Sequence, residues 1–396
     1  MKGLLRRLIL GVLVLLMIGV WAAAPVLAEP VVKEWKVPFL IFLTGPYGGF
    51  GKQIQWASDQ AAKEINDAGG IAGRPIDIRY HDTALDPAKA AAEMSKVVKN
   101  SLLIFGPIAA TTTKAAMPMV IREKAFAMAI ACGTDVSLEF QPYTVHFLGQ
   151  YDEFIPPPIQ GWAKRNPEMK SVVQLIWPLD PTWVDIANAQ RRALEAIGVE
   201  VLPDVELSEG VDFSSAVIKA MAKKPDGYTI IVGPVEAAKI VKELDKRGMK
   251  DKGKIVIFIT AYDPALFDVG KGYLDGVYHW SGFDWTADNP RWQNLYQLYQ
   301  DAHSGITAPT IGVPLFYDMV YLAKAAIENT GVTGDPAKLA EERDKIRDYC
   351  RNVKDFPGVQ YTFSIVDGIA KMPGFLFVIE EDKKGMLKLV ESYPAE

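Results

Sequence analysis

The hydrophobic positions of this chain change period repeatedly, and each change marks an element. Val37 to Thr44 is an apolar run of strand length that ends in Gly45-Pro-Tyr-Gly-Gly-Phe-Gly51. Ile54, Ala57, Ala61, Ile65 and Ala68 then recur at helical spacing and form one apolar face. Asn66 and Gly69-Gly70 end that helix, with glycine supplying the left-handed cap. Ile76 to His81 predicts a second strand. Asp86-Pro87 then opens a helix to Asn100, as N-cap and first-turn proline. A strand at Leu102 to Phe105 runs into Gly106-Pro-Ile-Ala-Ala-Thr-Thr-Thr113 and a helix through Glu123. Another at Phe126 to Ile130 runs into Ala131-Cys-Gly-Thr-Asp135. In parallel strands, these three loops of small and hydroxylated residues share one rim, where such sheets bind small molecules.

The pattern restarts after a helix at Tyr151-Asp152. Strands at Ser171 to Ile176, Val199 to Leu207, Tyr228 to Val232 and Ile255 to Thr260 alternate with helices. This predicts a second parallel sheet with helices on both faces. Its rim loops carry Trp177, Trp183 and Tyr262 in place of glycines, and the strand at Tyr228 to Val232 leads into Gly233-Pro-Val-Glu236. After Gly276 the chain becomes aromatic. Helices are expected at Pro290 to His303, Tyr317 to Asn329 and Leu339 to Tyr349. Short strands are expected at Val359 to Phe363 and Phe375 to Ile379, with a last turn at Asp382 to Gly385.

Length and charge narrow the class. The chain has 396 residues, 49% of them hydrophobic, which suits two domains better than one core. Lys2, Arg6 and Arg7 precede an uncharged apolar run, Leu8 to Trp21, and Val26 and Ala28 stand at the small positions of a cleavage site. Residues 1–28 therefore read as a secretory signal peptide, with an uncleaved membrane anchor as the competing reading. Loss of those three cations takes the formal net charge from -5 to -8, which argues against nucleic acid as a partner. Cys132 and Cys350 either pair in an oxidising compartment or stay as two free thiols.

Familiar catalytic patterns are missing. The glycine loop is not a phosphate-binding P-loop: Gly45 and Gly51 enclose five residues, and Lys52 is followed by Gln53 where Ser or Thr would hold magnesium. The four histidines, His81, His146, His279 and His303, share no metal-ligand spacing. No H-E-x-x-H or G-x-S-x-G occurs. No cofactor, no metal and no enzymatic activity is expected.

These residues together carry a resemblance. They are Thr44-Gly-Pro-Tyr-Gly-Gly-Phe-Gly51, Ala61-Ala-Lys-Glu-Ile-Asn-Asp-Ala-Gly-Gly-Ile-Ala-Gly-Arg-Pro-Ile76, Asp86-Pro-Ala-Lys-Ala90, Phe105-Gly-Pro107 and Asp212-Phe-Ser214. Over nearly the whole mature chain the sequence resembles the periplasmic ligand-binding proteins of ABC transporters, in the branched-chain amino acid (Leu/Ile/Val-binding) class. The resemblance implies an α/β type I fold of two doubly wound parallel-sheet lobes joined by three crossovers, with ligand trapped as they close. The first lobe would span 33–148 plus 283–356, and the second 149–282 plus 357–396. Family ligand contacts carry over to the loops Ala109, Ala110, Thr111 and Cys132, Gly133, Thr134, where exposed N–H groups at a helix start favour a carboxylate. Phe50 stands where the family often has an aromatic residue in the glycine-rich loop, Trp183 falls on an aromatic position of the second lobe, and Tyr151 lies beside a crossover and would face the cleft in such a fold; Tyr47 and Tyr262 join them as candidate contacts by their aromatic character.

Two departures bear on the ligand. The family's amino-acid binders usually have Ser at Ala109 or Ala110, and an acidic residue near Tyr262 to pair with the ammonium. A buried ammonium without a carboxylate is costly, so an α-amino acid requires Asp263 or Glu236 to turn inward. The aromatic residues favour an apolar or aromatic carboxylate or a hydrophobic amino acid. The expected protein is a periplasmic, monomeric solute-binding protein that delivers a small molecule to a membrane permease. The alternatives are a ligand-sensing periplasmic subunit of a receptor or regulator, and a secreted enzyme.

Overall fold

The structure is a computed structural model that describes residues 32–395 apart from 46, 131–132, 179–180, 208–212, 304–308 and 382–386. Strands β1 (Trp35–Ile41), β2 (Ile76–Asp82), β3 (Ile104–Ile108) and β4 (Ala127–Ile130) form an all-parallel sheet in the order β2-β1-β3-β4. β3 and β4 are apolar and buried on both faces, as strands covered by helices on both sides require. Gly51 lies in the first turn of the Gly48–Asp67 helix, where a Cβ would fall 1.7 Å from the Phe42 carbonyl oxygen. Glycine there lets the helix start against the end of β1. The expected cap also forms: the Asp86 side chain accepts from the Lys89 N–H at 2.8 Å.

The second sheet combines β5 (Ser171–Ile176), β6 (Glu200–Glu206), β7 (Gly227–Ile231), β8 (Ile255–Ile257) and β9 (Tyr278–Ser281) with two late strands. The chain first forms a small three-stranded sheet, β10 (Phe356–Pro357), β11 (Thr362–Val366) and β12 (Ile369–Lys371). It then adds β13 (Gly374–Ile379) and β14 (Leu387–Tyr393) to the large sheet, in the order β14-β13-β9-β8-β7-β5-β6. The large sheet is not wholly parallel: β13 runs antiparallel to both β9 and β14. The reversal follows from topology, because the tail returns from the first lobe and enters beside β9 from the opposite end.

The sheets are the cores of two lobes, and the chain passes between them three times. The passages are tied together. His146 N–H donates to the Gly368 carbonyl at 2.7 Å, Ala370 N–H to the His146 carbonyl at 2.9 Å, and the Tyr361 hydroxyl to the Gly282 carbonyl at 2.8 Å. The Gly312–Thr330 helix packs on the first lobe, with Phe316 stacked on Phe39 of β1 at 5.5 Å and the Tyr317 and Tyr321 hydroxyls donating to Glu64. This helix starts five residues before the sequence pattern indicates. Its first turns are buried all round, so no amphipathic period marks them.

The tail strand expected at Val359 forms three residues later. Val359 N–H is instead held by both oxygens of buried Asp318, at 2.9 and 3.0 Å. The turn expected at Asp382 to Gly385 lies outside the described residues, as do the signal-peptide stretch and Cys132. Cys350 is buried and free. Among the described residues no helix is long and apolar enough to cross a membrane.

Candidate functional site

Loops and helix starts at the carboxyl ends of β1, β3 and β4 meet those after β5 and β8. On the first lobe, Asp82 at the end of β2 shapes the β1 loop. It accepts the Leu43 and Thr44 N–H groups at 2.8 and 3.3 Å and the Thr44 hydroxyl at 2.6 Å. Burial works to raise its pKa, but these bonds outweigh it and the carboxyl sits below its usual value. The loop delivers Tyr47 to the N-cap of the Gly48–Asp67 helix, with Phe50 and Gln53 in its first turns. Phe50 is half-buried and stacks on Phe42 at 6.0 Å, within its own lobe.

The loops after β3 and β4 have the same backbone form. Ala109, which N-caps the Ala110–Arg122 helix, has φ 75° and ψ 154°, and Gly133, which N-caps the Thr134–Glu139 helix, has φ 78° and ψ 154°. Ala109 N–H donates to the Ile130 carbonyl at 3.1 Å, and its own carbonyl accepts the Thr113 and Thr112 hydroxyls at 2.7 and 3.1 Å. Ala110 is fully buried and Thr111 half-buried. The side chain of Thr134 is outside the described set.

The second lobe meets these loops directly. Trp183 stands edge-on to Tyr47 at 6.2 Å, bringing rings from the two lobes into contact, and packs on Trp177 at 6.3 Å and Phe258 at 5.4 Å. Two residues on, Asp185 reaches the first lobe: a Cβ added to Gly133 would lie 2.6 Å from its Oδ2. Glu236 is half-buried and curls back, 2.5 Å from where a Cβ on Gly233 would be; that position also lies 3.9 Å from Trp177.

Tyr262 is buried. It stacks on His279 at 5.5 Å and lies 4.7 Å from Trp285, and burial pushes its phenol pKa well up. Asp263, its neighbour, caps the Pro264–Gly270 helix at the Ala265 N–H, 2.8 Å away, and accepts from Gln53 Nε2 of the first lobe at 3.4 Å. Burial raises the Asp263 pKa, against the bonds from Ala265 and Gln53. Tyr151 is also buried, edge-on to His146 at 5.9 Å and to Phe154 at 6.0 Å, inside the first passage between lobes.

Sequence reasoning missed Gln53, Asp185, Tyr299 and Thr310. The Gln53 Oε1 accepts the Tyr299 hydroxyl at 2.8 Å and the Thr310 N–H at 3.0 Å. Gln53 follows Phe50 by one helical turn and Asp185 follows Trp183 by two residues, so proximity to the named aromatics was the available signal. Trp177 Nε1, Thr260 Oγ1, Trp285 Nε1 and Thr310 Oγ1 are buried without a hydrogen-bond partner among the described residues.

One contact has the distance of a nucleophile–base pair. Ser137 Oγ lies 2.6 Å from His146 Nδ1, but both residues are wholly buried, and burial lowers the His146 pKa to about 4. The pair fastens the Thr134–Glu139 helix to the first passage. Among the described residues no group of three or more His, Cys, Asp and Glu could hold a metal. A separate cavity of about 20 Å³, the space of one water molecule, lies among the three passages. It is walled by Phe147, Phe283, Asp318, Gln360, Tyr361 and Met372.

The architecture and the facing rim loops define a two-lobed binding protein. The chain belongs to the periplasmic binding protein family, which it matches over residues 34–384. It is 26% identical to the Leu/Ile/Val-binding protein homolog 3 of Brucella melitensis over 318 residues, covering 76% of this chain and 80% of that relative. A solute-binding protein of an ABC transporter from Rhodopseudomonas palustris, solved in complex with 3,4-dihydroxybenzoic acid, superposes with a TM-score of 0.78 at 20% identity, covering 92% of this chain and 98% of that one. The branched-chain amino acid transporter substrate-binding protein of Streptococcus pneumoniae, solved in complex with isoleucine, gives 0.74 at 21% identity, covering 90% and 99%.

Proposed function

We propose that this chain is the solute-binding protein of an ABC importer, exported through a cleaved signal peptide and working in the periplasm as a non-catalytic monomer. Its lobes, 33–148 with 283–356 and 149–282 with 357–396, close on a small apolar or aromatic carboxylate or a hydrophobic amino acid. The permease then reads the closed shape. The Tyr47–Trp183 contact carries this reading, because it sets aromatic surface from both lobes at the cleft, where an apolar body would be gripped on closing. At the first lobe, the start of the 13-residue Ala110–Arg122 helix suits a carboxylate. At the second, Asp185, Glu236 and Asp263 offer acceptors to a donor on the ligand. Asp185 and Asp263 lie at the contact between the lobes, which supports an ammonium as one such donor.

The relatives support the same range: one is named for leucine, isoleucine and valine, and the solved neighbours hold isoleucine and a dihydroxybenzoic acid. Ligand works by stabilising the closed arrangement over the open one, so its effect equals its difference in affinity for the two. The test is a panel of aliphatic and aromatic carboxylates and amino acids, read by melting temperature and tryptophan fluorescence. A rise of several degrees with at least one compound is expected. No response to any of them overturns the proposal.

A further inference from the structure

We infer that the cavity where the three passages meet is a built site for one water molecule, held between the Gln360 amide and the Asp318 carboxyl, and that this water fastens the third passage to the first lobe. The inference is independent of which solute the cleft takes.

The argument starts from an amide with nothing to bond. Gln360 is 7% exposed and walls the cavity, and neither its Nε2 nor its Oε1 has a hydrogen-bond partner among the described residues. Buried polar atoms are normally paired. Asp318, on the Gly312–Thr330 helix of the first lobe and likewise 7% exposed, walls the same cavity. Its two oxygens share one donor, the Val359 N–H, at 2.9 and 3.0 Å, so the carboxyl has bonding capacity left. Gly358 lets the passage come this close: a Cβ there would lie 2.8 Å from Asp318 Oδ2.

Space and chemistry together select the occupant. The cavity measures about 20 Å³, and one water needs roughly 10–15 Å³ with two to four polar partners. Walled only by residues such as Phe147, Phe283 and Met372 it would stay dry; two polar side chains on its wall change that. A metal cation is the wrong guest, because it takes about six oxygen ligands and would meet the Gln360 N–H groups. Water both donates and accepts, so it satisfies the amide in either orientation. It also suits both forms of Asp318. It donates to the carboxylate, and it accepts from the acid form, which burial sustains to about pH 7.

Position gives the water its effect. The third passage is tied to the second by the Tyr361 hydroxyl, which donates to the Gly282 carbonyl at 2.8 Å, and to the first-lobe helix through Val359. A water between Gln360 and Asp318 adds a second tie to that helix, one residue further along the passage.

The experiment compares the mature wild-type chain with Gln360→Met by crystal structures that show ordered water, by urea denaturation and by amide exchange. The wild type should show one water peak within hydrogen-bond distance of both Gln360 and Asp318. Gln360→Met, close in volume but without the amide, should show none. Because that variant loses a bridged amide, its urea midpoint should fall by roughly 0.3 M. A dry, unpaired amide predicts the reverse, a rise on replacement by an apolar side chain. Exchange of the Val359 to Tyr361 amide protons should quicken on the order of tenfold, beyond any change in β7. The wild-type peak is read without a variant, so the inference stays open to refutation even where Gln360→Met does not fold. A dry cavity in the wild type, a peak that touches only one of the two side chains or survives in Gln360→Met, a raised midpoint, or unchanged exchange in the third passage overturns it.

Discussion

Ala109 and Gly133 adopt the same backbone conformation, φ 75° and ψ 154° against φ 78° and ψ 154°, each at the N-cap of the helix that follows its strand. This region is open to glycine and costs other residues on the order of 1–3 kcal/mol. At Gly133 the conformation is free of that cost; at Ala109 it is strained. Ala109→Gly should therefore stabilise the protein by about 1 kcal/mol, since relief of strain exceeds the added freedom of the unfolded chain. Urea denaturation should show the midpoint rise at unchanged slope. A fall would mean that Ala109 does not hold this backbone form in solution.

Gly133 is needed for a second reason, which lies in the other lobe. A methyl group there would sit 2.6 Å from Asp185 Oδ2, so the carboxylate would have to turn away from the β4 loop. Gly133→Ala should weaken ligand binding about tenfold through closure. If the clash is the cause, the loss should shrink in an Asp185→Ala background, giving a coupling energy above about 0.5 kcal/mol in a double-mutant cycle. Additive losses would place the cause in the backbone of the β4 loop alone.

The same two loops mark how far the sequence could be read. Strand and helix order was legible because apolar period and caps such as Asp86 and Gly69-Gly70 are local. Tyr47 and Trp183 were legible because large aromatics in rim loops are conspicuous. The positive φ of Ala109 was not, since alanine carries no sign of it. Gln53 and Asp185 were not, since a polar residue on a half-buried helix face looks like a solvated one until the opposite lobe is in place. The antiparallel entry of β13 and the early start of the Gly312–Thr330 helix depend on the returning chain and on all-round burial, and neither has a local period.

The Tyr47–Trp183 contact gives a spectroscopic prediction. Trp183 lies against Trp177 and Phe258 in its own lobe, and Tyr47 is its first-lobe partner in ring contact at 6.2 Å. An aromatic pair of this kind adds about 0.5–1.5 kcal/mol beyond its buried area. Tyr47→Ala should lower ligand affinity by roughly 3- to 30-fold, to which loss of that term and of its area both contribute. It should also reduce the tryptophan fluorescence change on binding. Trp183→Phe should abolish most of that change while keeping most of the affinity. An undiminished signal in Trp183→Phe would assign the fluorescence change to another tryptophan.

Asp318 supplies the prediction with the widest reach, because it sits at the passages between lobes. Its buried carboxyl holds Val359 N–H with both oxygens, and burial raises its pKa to about 7, against that bond and the Arg291 guanidinium. Tyr361 and, further off, Asp284 face the same corner from the third and second passages. An unfolded aspartate releases its proton near pH 3.9, whereas the folded one keeps it to about pH 7. Across that interval the native state binds the extra proton, so the Asp318 contribution falls as pH rises, and above pH 7 the loss approaches roughly 4 kcal/mol. Buried His146 and His279, lowered to about 4 and about 3, act in the opposite sense. They are neutral when folded, so stability rises with pH until the unfolded histidines deprotonate near 6.5. The wild-type profile mixes the two effects, but the difference between wild type and Asp318→Asn does not. Asparagine keeps an oxygen for Val359 and cannot ionise. Unfolding free energies from urea melts at pH 5, 6, 7 and 8 should show the variant gaining steadily on the wild type as pH rises, with most of the gain complete near pH 8. A constant difference across that range would mean that Asp318 is already ionised at pH 5.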